Sequence, residues 1–210
     1  MGETDTLHWN SIEDWSPTLF LVGGGLLVGH AVMLGVQAFS TLTTPPDVFG
    51  PAGHLVALVG LFGLYPTISS RTPTLARVAG GVATVAFGSW AVLTVTRLVA
   101  VSGLITSVSD VLPAVFFALM FGSTILTYTL FGVSFLRVDS SSRLVGVLLL
   151  APAVLLVVVL VASAITGVSA VEGLVIGVGL AVSMVALGYT LRTWDRQTSP
   201  MVPTGDVSVR

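Results

Sequence analysis

Apolar residues in this chain come in six long runs, not in the alternating or one-faced patterns of a soluble fold. The runs are Thr18 to Ser40, Pro51 to Ser69, Thr74 to Ala100, Val111 to Leu136, Ser142 to Val168 and Val171 to Thr193. Each is close to the roughly 20 residues a helix needs to cross a hydrocarbon core. Hydrocarbon offers backbone N–H and C=O groups no partner, so a spanning segment must satisfy them internally, as a helix. The pattern predicts an all-α, polytopic membrane bundle of six transmembrane helices. The runs and their short connections fill residues 18–193, which one bundle accounts for. Residues 1–17 are expected as a cytoplasmic N-terminal tail and 194–210 as a disordered cytoplasmic C-terminal tail. The acidic start, which has no Arg before the first run, does not read as a secretory signal.

The polar residues between the runs set the orientation. Arg71 and Arg77 fall between runs two and three, and Arg137 and Arg143 between runs four and five. Arg192, Arg196 and Arg210 lie at or beyond the end of run six. These are alternate connections and share one side, which the bias of basic residues toward the cytoplasm makes the inside. Both termini are then cytoplasmic, in a multi-pass protein of the cytoplasmic membrane. Trp9, Trp15 and Trp194 fall near the inner boundary, where indole is favoured. Leu7 to Trp15 could form a short interfacial helix capped by Asp5 or Thr6, or a frayed tail.

Composition narrows the chemistry. Hydrophobic residues make up 54% of the chain, charged residues 9%, and the mean hydropathy is +1.00. There is no Cys, which removes disulfides, thiolate metal sites and thiol nucleophiles, and no Lys, which removes Schiff-base chemistry and a P-loop lysine. All eight basic residues are Arg. Avoidance of Lys and Cys, with acidic tails and many Val, Ala, Gly and Thr, suggests a high-GC, haloarchaeal source. No catalytic, metal or cofactor motif is complete, and nothing points to nucleic acid. The expected partners are the lipid bilayer and a membrane-protein partner or second copy of the chain.

Two patterns bear on packing. Gly25 and Gly29, and Gly173, Gly177 and Ala181, are small residues four apart, which let helices approach closely. Run five, Leu- and Val-rich with a possible kink at Pro152, is the candidate lipid-facing helix. There is also a faint repeat. Pro17-Thr18-Leu19 recurs as Pro73-Thr74-Leu75, each opening an outward helix. Leu61-Phe62-Gly63 recurs as Leu130-Phe131-Gly132, and Tyr128-Thr129-Leu130 as Tyr189-Thr190-Leu191. Three related helical hairpins would explain it.

Polar groups inside a membrane are costly and are therefore functional candidates. Threading the runs antiparallel brings His30, Gln37, His54, Arg97, Asp110 and Glu172 into the outer half of the bundle. Arg97, on one face with Trp90 and Thr94, could anchor an anion in an outward cavity, or pair with Asp110 or Glu172 to tie helices together. Asp110 and Glu172 could equally complement their own helix N-termini. His30 could relay protons or be a neutral packing residue. His30 and His54 make no metal site without a third ligand; Asp47 or Asp110 could supply one, but nothing in the spacing points to either. Ser123, Thr124, Thr127 and Tyr128 form a polar stripe expected to make interhelical hydrogen bonds.

The stretch Leu61-Phe62-Gly63-Leu64-Tyr65-Pro66, continuing through Arg71-Thr72-Pro73 to Arg77, resembles the helix-turn-helix corner of a family of uncharacterised haloarchaeal multi-pass proteins. The resemblance covers one hairpin and implies a six-helix membrane protein with no assigned activity. Two functional classes follow from the residues: a structural or accessory subunit of a membrane complex, or a small transporter or channel with an outward-facing polar cavity around Arg97. An enzyme is disfavoured, because no nucleophile-base pair is visible.

Overall fold

A computed structural model describes residues 3–41, 45–109, 111–138, 143–165, 167 and 169–198, with side chains between 12 and 194. Among them are seven helices: α1 (Glu3–Phe39), α2 (Phe49–Gly63), α3 (Tyr65–Ser69), α4 (Pro73–Val101), α5 (Ala114–Val138), α6 (Arg143–Ile165) and α7 (Ala170–Thr198). The chain is an all-helical, multi-pass membrane bundle. Five helices are long and apolar enough to cross a bilayer: α4, α6, and the stretches Ile12–Phe39 of α1, Ala114–Arg137 of α5 and Ala170–Trp194 of α7.

The second expected span is not one helix. α2 has 15 residues, about 22 Å at 1.5 Å per residue, short of a core about 30 Å thick. The chain then breaks at Leu64, and Pro66 sits in the first turn of α3, where its missing N–H costs nothing. α2 and α3 together cover the apolar run. At the other extreme, α1 does not start at Pro17. It runs unbroken from Glu3 through Pro17, so the stretch expected as a separate interfacial helix is continuous with the helix that carries the first span. Thr67 donates to the Glu13 carboxylate at 3.2 Å and Ser16 to the Gly60 carbonyl at 2.8 Å, holding this part of α1 against α2 and α3.

The six crossing elements close into a ring in chain order: α1 on α2, α2 on α4, α4 on α5, α5 on α6, α6 on α7, and α7 back on α1. Outward faces carry large apolar side chains at helical spacing, such as Val171, Val175, Val178, Val182, Val185 and Tyr189 on α7, all exposed. Continuous apolar stripes of this kind suit lipid, not water. α6 shares this character, with Leu144, Val147, Val154, Val158 and Val161 outward. Its other face, with Val145, Gly146, Leu149, Pro152, Ala153 and Leu156, is buried.

Glycines set the closest helix contacts, and the four-residue spacing found only some of them. A Cβ on Gly25 would meet nothing within 4 Å, and one on Gly29 would meet only the Phe49 side chain, at 3.2 Å. The tight crossings are elsewhere. A Cβ on Gly23 would lie 2.9 Å from the Gly53 carbonyl, and Gly132 and Gly146 face each other's carbonyls at 3.0 and 2.9 Å. A Cβ on Gly177 would touch Leu34 at 3.3 Å, so that position does lie at the α1–α7 seam. Gly173 is at the first turn of α7, its N–H bonded to the Ser169 carbonyl at 2.9 Å.

The repeated motifs occupy unlike environments. Tyr128 is fully buried and Tyr189 is 66% exposed. Pro73 opens α4, whereas Pro17 lies inside α1. Gly63 packs on α1 and Gly132 on α6.

Candidate functional site

At the end of the ring that holds residues 45–48, 102–109 and 111–112, the bundle is hollow. A cavity of about 380 Å³ is lined by residues from α1, α2, α4, α5, α6 and α7, within the size range of small-molecule sites. Its wall is mainly apolar: Leu34, Leu93, Phe117, Phe121, Leu156, Val159, Ile176 and Leu180. Its polar groups are His30, Asp47, His54, Arg97 and Ser163, with the Trp90 indole beside them. A second cavity, about 490 Å³, lies at the loop end and is lined by Gln37, Pro45, Pro46, Thr106, Ser107 and Val108 among others. His30, Leu34, Asp47 and Arg97 line both cavities and so stand at the neck between an outer vestibule and an inner chamber.

Beyond the chamber the ring is filled. Tyr128, Phe131, Phe135, Met184 and Leu187 are fully buried, and the Tyr128 hydroxyl points to the Met184 sulfur at 3.9 Å. The hollow is therefore blind.

One side of the neck is tied down by Asp47. Its Oδ1 accepts the backbone N–H groups of Phe49 at 3.0 Å and Gly50 at 3.3 Å, satisfying donors that the start of α2 leaves without helical partners. Its Oδ2 takes the other contact, 2.6 Å from Nδ1 of His30 on α1. Burial pushes the Asp47 carboxyl up, but the His30 hydrogen bond and charge, with the Gly50 and Phe49 N–H groups, outweigh burial and hold it below the usual carboxylate value. Both carboxylate oxygens are thereby occupied.

The chamber wall is anchored by aromatic stacking. The His54 imidazole lies on the Trp90 indole with ring centroids 4.3 Å apart and planes at 22°. The Trp90 N–H donates to Thr124 Oγ1 at 2.8 Å, and Thr124 donates to the Met120 carbonyl at 2.6 Å. This is an interhelical bond of the expected polar stripe. Most of the stripe behaves otherwise: Ser123 and Thr127 donate back to carbonyls of their own helix, the usual way for hydroxyls inside helices. Two cavity-lining residues each carry a buried polar atom with no hydrogen-bond partner among the described residues, Nδ1 of His54 and Nε of Arg97.

The structure thus brings His30, His54 and Arg97 to one cavity and Gln37 to its vestibule. It does not bring Glu172. That carboxylate is exposed and accepts both the N–H and the hydroxyl of Ser169, at 2.8 and 2.9 Å, while its own N–H donates to Ser169 Oγ at 3.2 Å. The pair is a reciprocal cap for α7, so Glu172 is not the partner of Arg97. Asp110 lies outside the described residues. Asp47 was named from sequence only as a conceivable third metal ligand, and among the described residues no metal-holding cluster forms. A sharper signal was available, since an Asp shortly before a helix start is a capping signal. That would have put its carboxylate at the mouth beside His30.

No protein-family model, curated protein or solved structure matches this chain.

Proposed function

We propose that this is a small-molecule-binding protein of the cytoplasmic membrane, with both termini inside, that admits a compact, largely apolar solute from the outer face, as a small transporter does. The observation that carries this reading is the chamber. Every crossing element contributes to it, its wall is apolar, and its few polar groups converge, the usual makeup of a ligand site. The blind floor supports alternating access over an open pore. An accessory or assembly subunit, the other class the residues allow, has no use for such a chamber. The seven Arg on alternate connections support the orientation.

Trp90 reports on the chamber directly, because it lines it. With Trp9, Trp15 and Trp194 changed to Phe, it is the remaining indole. In phosphatidylcholine nanodiscs, ω-bromohexanol should quench Trp90 emission along a saturating curve. Val159→Phe, which fills the chamber, should leave only the linear quenching expected from probe dissolved in the bilayer. Linear quenching in both proteins would remove the support for solute binding and return the protein to the accessory class.

A further inference from the structure

Resting on that reading, we infer that the solute is an apolar-bodied monoanion, a carboxylate on a short hydrocarbon chain, whose head is held by Arg97 at the neck and whose body lies in the chamber. Arg97 lines both the vestibule and the chamber. Its Nε is buried without a hydrogen-bond partner. The Arg97 side chain as a whole is half-buried, and a carboxylate matches the planar donors of a guanidinium best.

The described carboxylates around the site are already used. Asp47 spends both oxygens on His30, Phe49 and Gly50, and Glu172 caps α7 through Ser169. Among the described residues Arg97 therefore has no carboxylate partner, which suits an anion that arrives and leaves. The second orphan atom, Nδ1 of His54, is on a side chain only 4% exposed that also lines the chamber. Away from His30, Asp47, His54, Arg97 and Ser163 the wall is hydrocarbon, which rewards an apolar body and rejects a second charge. The vestibule opens among loop residues Pro45, Pro46, Thr106 and Ser107, which points to a solute from water, not a phospholipid head from the bilayer.

The test compares ω-bromohexanoate with ω-bromohexanol and ω-bromohexylammonium in the single-Trp90 protein in phosphatidylcholine nanodiscs. The carboxylate should bind at least about tenfold more tightly than the alcohol, the scale of one charged hydrogen-bonded contact, and the ammonium should not saturate. Arg97→Gln should erase that preference while leaving saturable quenching by the alcohol, which shows that the chamber is intact. Arg97→Lys should restore part of it. Equal affinity for acid and alcohol, or a preference that survives Arg97→Gln, overturns the inference and leaves the chamber reading standing. Loss of saturation for every probe fails the chamber reading itself. Competition against the carboxylate by phosphatidylglycerol added to the nanodiscs would make the anion a lipid head and also overturns the assignment. Asp110→Asn should leave the affinity unchanged. A tightening of tenfold or more would identify Asp110 as a resident counter-ion, against the inference.

Discussion

The closest crossing of α1 and α2 makes a quantitative prediction. A Cβ added to Gly23 would lie 2.9 Å from the Gly53 carbonyl oxygen, 3.1 Å from the Ala57 nitrogen and 3.3 Å from the Ala57 Cβ. The first two are backbone atoms of a neighbouring helix, so no rotamer change relieves them. Ordinary contact begins near 3.4 Å, so α2 must retreat by about 0.5 Å. Overpacking of this kind costs about 1–3 kcal/mol. Replacing a helical Gly by Ala returns about 0.5–1 kcal/mol through backbone entropy, leaving a net loss of about 0–2.5 kcal/mol. Gly25→Ala is the internal control. It collects the same entropy gain with nothing within 4 Å of its Cβ, so the difference between the two variants isolates the contact, about 1–3 kcal/mol. Unfolding by SDS titration from a mild detergent, followed by tryptophan emission, measures both. Gly23→Ala as stable as Gly25→Ala would refute the crossing. His54 directly follows Gly53, so the same retreat should loosen its stack on Trp90 and shift Trp90 emission.

Other outcomes follow from single contacts. Thr124→Val strands the buried Trp90 N–H and should cost about 1–3 kcal/mol; adding Trp90→Phe should recover part of the loss, and strictly additive losses would deny the bond. Asp47 is held below its usual value, 3.8, so its contribution is full above that value and is lost as pH falls through the lower folded value. Asp47→Asn should therefore be less stable than wild type at neutral pH and converge with it on acidification; a gap that persists in acid would contradict this account. Ser169→Ala removes the cap of α7 and should cost about 1 kcal/mol, read by the same SDS titration; no loss would mean that the cap contributes nothing. Cysteine introduced at Asp47 should react with an impermeant reagent in intact cells and cysteine at Ser141 should not, with the opposite labelling reversing the orientation.

The bundle was legible because hydrocarbon leaves little choice. A run of apolar residues near spanning length has only the helix open to it, so the runs located the crossing elements. Their ends were less legible. Pro17 reads as a start, because proline favours the first turn and the residues before it are polar. Only tertiary contact, such as the Ser16 bond to Gly60 and the close approach of Gly188, where an added Cβ would lie 2.8 Å from the Pro17 carbonyl, shows why the helix continues through it. Pro66 reads as tolerable inside a span, yet there the helix breaks. Glycine spacing named small residues but not the faces they occupy. With Gly23, Gly24 and Gly25 adjacent, rotation of α1 by one residue decides which meets a neighbour, and the ring fixes that rotation.

The site was half legible for a related reason. Cost in the membrane marks His30, His54 and Arg97 as needing an explanation, and antiparallel threading sends them to one end. It does not say what each has for company. Asp47 sits in a loop, where a carboxylate carries no such penalty, and it drew attention only as a conceivable metal ligand. Glu172 has the opposite history: its run and sign made it a candidate, but Ser169 three residues earlier satisfies it locally. Local capping therefore separates the acids at this end. Asp47 caps α2 and reaches across to α1, while Glu172 caps α7 and reaches nowhere else. Among the described residues, what remains after both are accounted for is Arg97 lining an apolar chamber, and the proposed anion would supply the negative charge that neither acid gives it.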